Sequence, residues 1–139
     1  MILLDTSGIL AALDEDERLH APVRHALEDE VGPGILSPFV LAEADYLLTR
    51  NLGQRFSFSF AKQVAAGSYT LASFDADDLG MALTVLERYT DLQIGLTDAS
   101  LVVLANRYGT NRVLTLDERH FRPLRTLDGR PFTLLPADA

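Results

Sequence analysis

The chain has 139 residues with no cysteine, a single lysine at Lys62, and no apolar run long enough to cross a membrane. Without cysteine there can be no disulfide, no thiolate catalysis and no cysteine-ligated zinc, so any metal must be bound by oxygen or histidine. The longest apolar runs fall far short of the roughly 18 residues of a membrane span, and the N-terminus lacks a basic segment followed by a cleavable apolar one. These absences predict a soluble, cytoplasmic protein.

The length and the charge distribution of the chain indicate its number of domains and the region that could contact a polyanion. A chain of this size can bury one core, which predicts a single domain over residues 1–139. The net charge of −8 conceals a split, because residues 1–106 carry 6 Lys or Arg against 16 Asp or Glu, whereas residues 107–139 carry 6 Arg against 4 acids. Arg119 and Arg122 lie in this basic part and closely follow Asp117, so they are candidate contacts to nucleic-acid phosphates. Each can equally be an ordinary solvated surface arginine.

Strand and helix signals alternate along most of the chain. This pattern predicts an α/β fold in which a twisted parallel sheet is covered by helices on both faces. The alternate spacing of Phe56, Phe58 and Phe60 fits a strand as well as a helix, and we favour a helix over 54–66. The predicted strands are 2–4, 35–36, 69–72, 112–116 and 132–135, and the principal helices are 7–13, 21–30, 38–51, 75–89 and 98–108.

Four acidic residues occupy unusually apolar surroundings. Asp5 ends the run Ile2-Leu3-Leu4, and Asp117 ends another buried strand, while Glu43 and Asp98 lie within apolar helices. At 100° per residue Glu43 shares an arc with Val40, Ala44, Leu47 and Leu48, so we expect it to face the core while Asp45 remains solvated. Strand ends of an open parallel sheet share one edge, where such folds place their sites.

A shared cation explains these acids better than four separate structural roles. Individually Asp5 and Asp98 could cap helices, and Asp117 could stabilise a turn. Together the four carboxylates would form several like-charged pairs, each costing about 3 kcal/mol at roughly 5–6 Å. Mg²⁺ or Mn²⁺ suits an all-oxygen site and supports phosphodiester hydrolysis. Four nearby hydroxyls could orient ligands or instead serve local turns: Thr6, Ser7, Thr97 and Thr115.

His120 and Tyr46 each have a functional interpretation and an ordinary structural one. His120 is near Asp117 and could act as a base, but a packed or surface histidine is the simpler interpretation. Tyr46 could stack on a nucleobase, although ordinary packing explains it as well.

The motifs around the acids resemble those of PIN-domain ribonucleases, and within them the VapC toxins of toxin–antitoxin pairs. The resemblance spans nearly the whole chain, and the four segments occur in order at family-like spacing. They are Leu4-Asp5-Thr6-Ser7, Ser37-Pro38-Phe39-Val40-Leu41-Ala42-Glu43, Gly95-Leu96-Thr97-Asp98-Ala99 and Leu114-Thr115-Leu116-Asp117-Glu118-Arg119-His120-Phe121.

The resemblance implies a Mg²⁺- or Mn²⁺-dependent endoribonuclease that cleaves structured RNA such as tRNA or rRNA. Asp5 and Asp98 would be the most direct ligands, and Glu43 and Asp117 would hold the ion's waters or a second ion. It further implies a homodimer and a small VapB-type antitoxin that covers the site.

Of three alternative functions, the sequence argues against two. A haloacid dehalogenase-type phosphatase would need a second Asp where Ser7 stands, and a phospho-accepting receiver domain would need a late lysine, whereas Lys62 is central. The third is a catalytically silent PIN-like scaffold that acts as a protein-interaction module.

Overall fold

The computed structural model describes all residues from Met1 to Ala139. Five short strands alternate with seven α-helices and one 3₁₀ turn at Thr90–Leu92. In chain order they are β1 (Ile2–Leu4), α1 (Thr6–Leu13), α2 (His20–Glu28), β2 (Gly34–Leu36), α3 (Pro38–Leu52), α4 (Gln54–Ala65), β3 (Thr70–Leu71), α5 (Ala76–Arg88), α6 (Leu96–Tyr108), β4 (Arg112–Leu114), α7 (Glu118–Phe121) and β5 (Thr133–Leu135).

The strands form one parallel sheet in the order β3-β2-β1-β4-β5. The central strand β1 is buried along its whole length, and Leu3 pairs with both Ile35 of β2 and Val113 of β4. This confirms the predicted α/β fold with a parallel sheet. Because every strand runs the same way, the residues after β1 and β4 meet at one edge.

Helix α1 packs unusually close to β4 and depends on a glycine to do so. A Cβ atom on Gly8 would lie 2.3 Å from the carbonyl oxygen of Leu114, which is closer than any real contact. Only glycine permits this approach of helix to strand. One hydrophobic cluster of 31 buried residues continues from this contact through the sheet and the helices around it.

One strand end differs from the sequence-based prediction, and one ambiguous segment adopts the helix that we favoured. Strand β4 ends at Leu114 rather than at Leu116, because the chain then turns into the short helix α7, for which Asp117 is the N-cap. The ambiguous phenylalanine segment is helix α4, since Ser57, Phe60 and Val64 are buried at helical spacing. None of the helices combines the length and the apolar character needed to cross a membrane.

Candidate active site

A depression of about 360 Å³ lies at the carboxyl edge of the sheet. It brings together acids that are distant in sequence, as predicted, and the hydroxyl residues next to them. Its lining comprises Asp5, Thr6, Ser7, Leu10, Glu43, Leu47, Gly95, Thr97, Asp98, Asp117 and His120. Thr115 lies beneath this lining and is buried.

Asp5 is held from below by two hydroxyl groups. Thr115 Oγ1 donates to Asp5 Oδ2 at 2.7 Å, and Ser7 Oγ donates to the same oxygen at 2.8 Å. The backbone N–H groups of Leu116 and Asp117 in turn donate to Ser7 and Thr115. Asp5 occupies the N-cap position of α1 without a side-chain capping bond, so its carboxylate does not serve the helix. The two hydroxyls therefore fix Asp5 against the start of the segment that carries Asp117.

Asp98 and Asp117 are linked by a histidine. His120 Nδ1 lies 3.2 Å from Asp98 Oδ2 and 3.0 Å from Asp117 Oδ2. Asp98 is the third residue of α6, whose N-cap is Gly95 with no side-chain capping bond, so the alternative role of Asp98 as a helix cap is wrong. Asp117 does cap α7 through its Oδ1, while its Oδ2 points to the histidine.

The prediction that Glu43 faces the core is wrong. Its side chain is exposed, because the buried face of α3 is centred on Val40, Ala44 and Leu48 and Glu43 lies at the margin of that arc. It nevertheless lines the depression, where Thr97 Oγ1 donates to Glu43 Oε2 at 3.4 Å. Asp45 is exposed, as predicted.

A buried pair of serines joins the two helices that carry Glu43 and Asp98. Ser37 Oγ lies 2.8 Å from Ser100 Oγ, and Ser100 Oγ donates to the carbonyl oxygen of Thr97 at 2.6 Å. Both serines are fully buried. Ser37 also caps α3 by accepting the N–H of Phe39, so one hydroxyl fixes the start of α3 relative to the first turn of α6.

Burial and neighbouring negative charge raise the pKa of two carboxylates of the depression, Asp98 and Asp5. Burial raises the pKa of Asp98 to about 6, the negative charge of Asp5 adds to the effect, and Asp117 and Glu43 add further while His120 opposes it. Burial also raises the pKa of Asp5, whose side chain is 6% exposed, although the bonds from Thr115 and Ser7 reduce the shift. The positive charge that His120 can supply is therefore not enough to offset the burial and the mutual repulsion that act on Asp98.

The two arginines predicted to contact RNA have different surroundings. Arg122 forms ion pairs with Glu118 and Asp138, both at 2.7 Å, so its charge is used to hold α7 to the C-terminal segment. Arg119 is exposed and has no carboxylate partner. Neither side chain lines the depression.

The donor set fits a hard divalent cation. Oxygen atoms dominate the lining, the neighbouring carboxylates disfavour the ionisation of Asp98, and the buried hydroxyl of Thr6 has no hydrogen-bond partner. No three acidic or histidine side chains stand close enough together to hold an ion in the present rotamers. Side-chain rotation within the depression would be needed for joint coordination.

The sequence left the role of one participant open and did not reveal another. The nearness of His120 to Asp117 pointed to a role in the site, although a packed or surface histidine was the simpler interpretation, and the structure places its Nδ1 3.0 Å from Asp117 Oδ2. The Ser37–Ser100 pair was missed because its members are 63 residues apart. The one sequence signal was a serine within the nearly all-apolar run of α6.

Comparison with known families places these observations in context. Residues 2–125 match the family model described as PIN domain. The chain is 38% identical over 135 residues to Ribonuclease VapC26 of Mycobacterium tuberculosis, an alignment that covers 97% of this chain and 100% of that relative.

Solved structures share the fold at lower identity. VapC20 of Mycobacterium tuberculosis, described as a sarcin-ricin loop cleaving toxin, superimposes with a TM-score of 0.79 at 20% identity and covers 85% of this chain and 91% of its own. The DNA-bound VapBC complex of Salmonella typhimurium gives a TM-score of 0.68 at 18% identity, with 96% and 98% covered. A toxin–antitoxin complex of Klebsiella pneumoniae gives 0.66 at 15% identity, with 89% and 92% covered.

Proposed function

The chain belongs to the PIN-domain family and within it to the VapC-type ribonuclease toxins, and we propose that it cleaves structured cellular RNA, such as tRNA or rRNA, with Mg²⁺ or Mn²⁺. The observation that carries the proposal is the convergence of Asp5, Glu43, Asp98 and Asp117 on one depression. The raised pKa of Asp98, to which the charges of the other three acids contribute, supports a site that is completed by a cation.

Each acid has a distinct position from which to act. Asp5 presents a carboxylate whose Oδ2 is held by Ser7 and Thr115, which leaves Oδ1 without a side-chain partner. Asp98 lines the same depression, and we assign Asp5 and Asp98 as the direct ligands. Glu43 and Asp117 lie at the margins, where they would hold water molecules or a second ion. A bound cation would supply a Lewis acid that activates water and neutralises charge developing on the phosphodiester.

The remaining residues of the site would orient these acids. His120 would turn away from Asp98 when the carboxylates close on a cation, since its ring now lies between Asp98 and Asp117. Thr97 would steady Glu43, and the unpartnered hydroxyl of Thr6 would accept or donate a bond within the occupied site. Arg119, exposed two residues after Asp117, would contact a phosphate of the RNA, a role from which the ion-paired Arg122 is excluded.

Metal-dependent cleavage of total cellular RNA by the purified, partner-free protein tests the proposal. We expect cleavage with Mg²⁺ or Mn²⁺, none with EDTA, and a loss of about 1,000-fold or more in Asp98→Asn and Asp5→Ala, equivalent to about 4 kcal/mol. Asp45→Asn is the matched control, because it removes an exposed acid from the same helix as Glu43. Absence of metal-dependent cleavage, together with metal-independent melting of the wild type, would favour the non-catalytic scaffold.

We assign the chain a small VapB-type antitoxin as its partner and a homodimer as its assembled state. Structural neighbours have been solved as toxin–antitoxin complexes, which supports this assignment. Expression of the chain should arrest growth, and co-expression of a short adjacent reading frame should restore it and yield a co-purifying complex. Growth arrest by Asp98→Asn at the same expression level would contradict toxicity through cleavage.

A further inference from the structure

The hairpin formed by α3 and α4 has an outer face that the core does not use. Thr49 Oγ1 donates to Ser57 Oγ at 2.8 Å, which fixes the register of the two antiparallel helices. When side-chain directions are counted at 100° per residue from this contact, one set of four side chains projects from the same outer side of the hairpin. That set is Tyr46 and Arg50 on α3 and Phe58 and Lys62 on α4.

Two large aromatic rings are exposed on this face. Tyr46 is 64% exposed and Phe58 is 60% exposed, whereas Phe60 on the inner side of α4 is buried. Each exposed ring has a cation over it: Arg50 lies 5.9 Å from the Tyr46 centroid, and Lys62 lies 4.6 Å from the Phe58 centroid. The hairpin therefore presents two similar aromatic–cation pairs to solvent, although neither ring stabilises the core.

The charge of this face differs from that of most of the chain. The net charge of the whole protein is −8, yet between Ala44 and Ala66 the cations Arg50, Arg55 and Lys62 are opposed by Asp45 alone. None of these three cations forms an ion pair with a carboxylate. A polyanion can thus approach these cations without displacing a carboxylate.

The outer face is continuous with the acidic depression. Glu43, which lines the depression, precedes Tyr46 by one helical turn and projects to the same side. With a rise of about 1.5 Å per residue, Glu43 and Arg50 are separated by roughly 10 Å along α3. An extended strand lying on this face would lead directly to the acids.

We propose that Tyr46, Arg50, Phe58 and Lys62 form a docking surface for a single-stranded segment of the RNA substrate. Two bases stack on the rings of Tyr46 and Phe58, and the two cations contact the adjoining phosphates. Stacking accepts any base, so this surface guides the strand toward the depression and does not select a sequence. The inference rests on the proposed function, since it assumes that RNA is the substrate.

Binding is measured by fluorescence anisotropy with a labelled 12-nucleotide single-stranded RNA of mixed sequence. The full chain is used in Mg²⁺, with Asp98→Asn in every protein so that binding is read without cleavage. Tyr46→Leu and Phe58→Leu keep an apolar side chain but remove the flat ring, and each should weaken binding by about 5- to 100-fold. Phe58→Tyr should bind as the parent does. Arg50→Gln and Lys62→Gln should each reduce the slope of log K against log salt by about 0.7.

Matched controls come from α5, which exposes an apolar residue and an unpaired cation elsewhere on the surface. Leu83→Ala and Arg88→Gln should leave RNA affinity unchanged, and melting curves should show that every variant is folded. Parent-like affinity in both leucine variants would overturn the proposal. A fall in molar mass of Tyr46→Leu or Phe58→Leu by light scattering would also overturn it, by showing that the face joins two copies of the chain.

Cleavage by the wild type and RNA binding by the leucine variants together distinguish a failure of this inference from a failure of the proposed function. Metal-dependent cleavage by the otherwise wild-type chain, combined with unchanged binding in the leucine variants, would reject the docking surface and retain the nuclease. Weakened binding in those variants without any cleavage by the wild type would retain the docking surface and reject the nuclease.

Discussion

Two buried carboxylates near opposite ends of the same strands have opposite electrostatic surroundings. Asp5 follows β1 and is held only by hydroxyl groups, and its pKa is raised by burial. Glu30 lies beside the amino ends of β1 and β4, where Arg112 at 2.8 Å and the terminal amine at 2.9 Å bind it. Burial opposes its ionisation too, but the bonds from Arg112 and the amine outweigh burial and lower its pKa.

The contrast shows that burial alone does not decide the state of a carboxylate in this fold. At the amino edge the chain supplies its own cations and gains stability from the charge. At the carboxyl edge it supplies only hydroxyls and one histidine, and the acids remain without matching positive charge. The ion pairs at the amino edge stabilise the structure by themselves, whereas the acids at the carboxyl edge require an external cation to balance their charge.

The largest effect on stability is expected at the amino edge. Glu30→Gln removes the covered carboxylate that binds both Arg112 and the terminal amine, and we expect a loss of about 1–3 kcal/mol, seen as a fall in melting temperature of roughly 3–10 °C. RNA cleavage at a temperature well below the transition should be unaffected. Glu28→Gln is the control, because it removes an exposed ion pair with Arg24 and should change stability by less than about 0.5 kcal/mol.

At the carboxyl edge, removal of a carboxylate is expected to raise the stability of the metal-free protein. Asp98 has a pKa of about 6 in the folded protein against 3.8 ordinarily, so its charge destabilises the metal-free fold above pH 6 and this penalty disappears as the pH falls toward 4. Metal-free melting temperature should therefore rise between pH 7 and pH 5. Asp98→Asn should melt higher than the wild type at pH 7 and should show a flatter pH profile. A drop of several degrees in the variant would instead indicate a structural role.

The smallest effect is expected between the two helices of the site. Ser100→Ala removes the hydroxyl that joins Ser37 to the Thr97 carbonyl, and we expect a loss of about 1 kcal/mol. Because the same bond spaces Glu43 from Asp98, the Mn²⁺ concentration needed to raise the melting temperature should increase about tenfold. Ser59→Ala, at an exposed position of α4, should alter neither quantity. An unchanged Mn²⁺ requirement in Ser100→Ala would limit this serine to a packing role.

Local patterns in the sequence were sufficient to predict most elements and the gathering of the acids. Asp5 and Asp117 follow apolar strands, and parallel strands bring such residues to one edge whatever the details of packing. Helix α4 was also predicted, although the alternate phenylalanines fit a strand equally well. The structure settles the ambiguity, because the buried positions Ser57, Phe60 and Val64 follow helical spacing.

The predictions that failed concern how side chains are oriented in the tertiary structure, which the pattern of residues along the sequence does not specify. Glu43 lies on the apolar arc of α3 in projection, but the adjoining helices cover only part of that arc and leave its margin open. Arg122 looked free in sequence, yet its partner Asp138 is brought to it by the C-terminal segment after β5. The contact of His120 with Asp98 likewise depends on how α6 and α7 meet across the sheet.

Because Gly8 has no side chain, α1 can pack against β4 closely enough to hold the residues of the carboxyl edge in place. A methyl group there would push α1 from β4, and Ser7, on the same helix turn, would move away from the N–H of Leu116 that it accepts at 2.9 Å. Asp5 would then lose one of its two hydroxyl supports without any change to an acid. The smallest residue in the helix thus acts as the spacer that keeps two distant segments of chain in register.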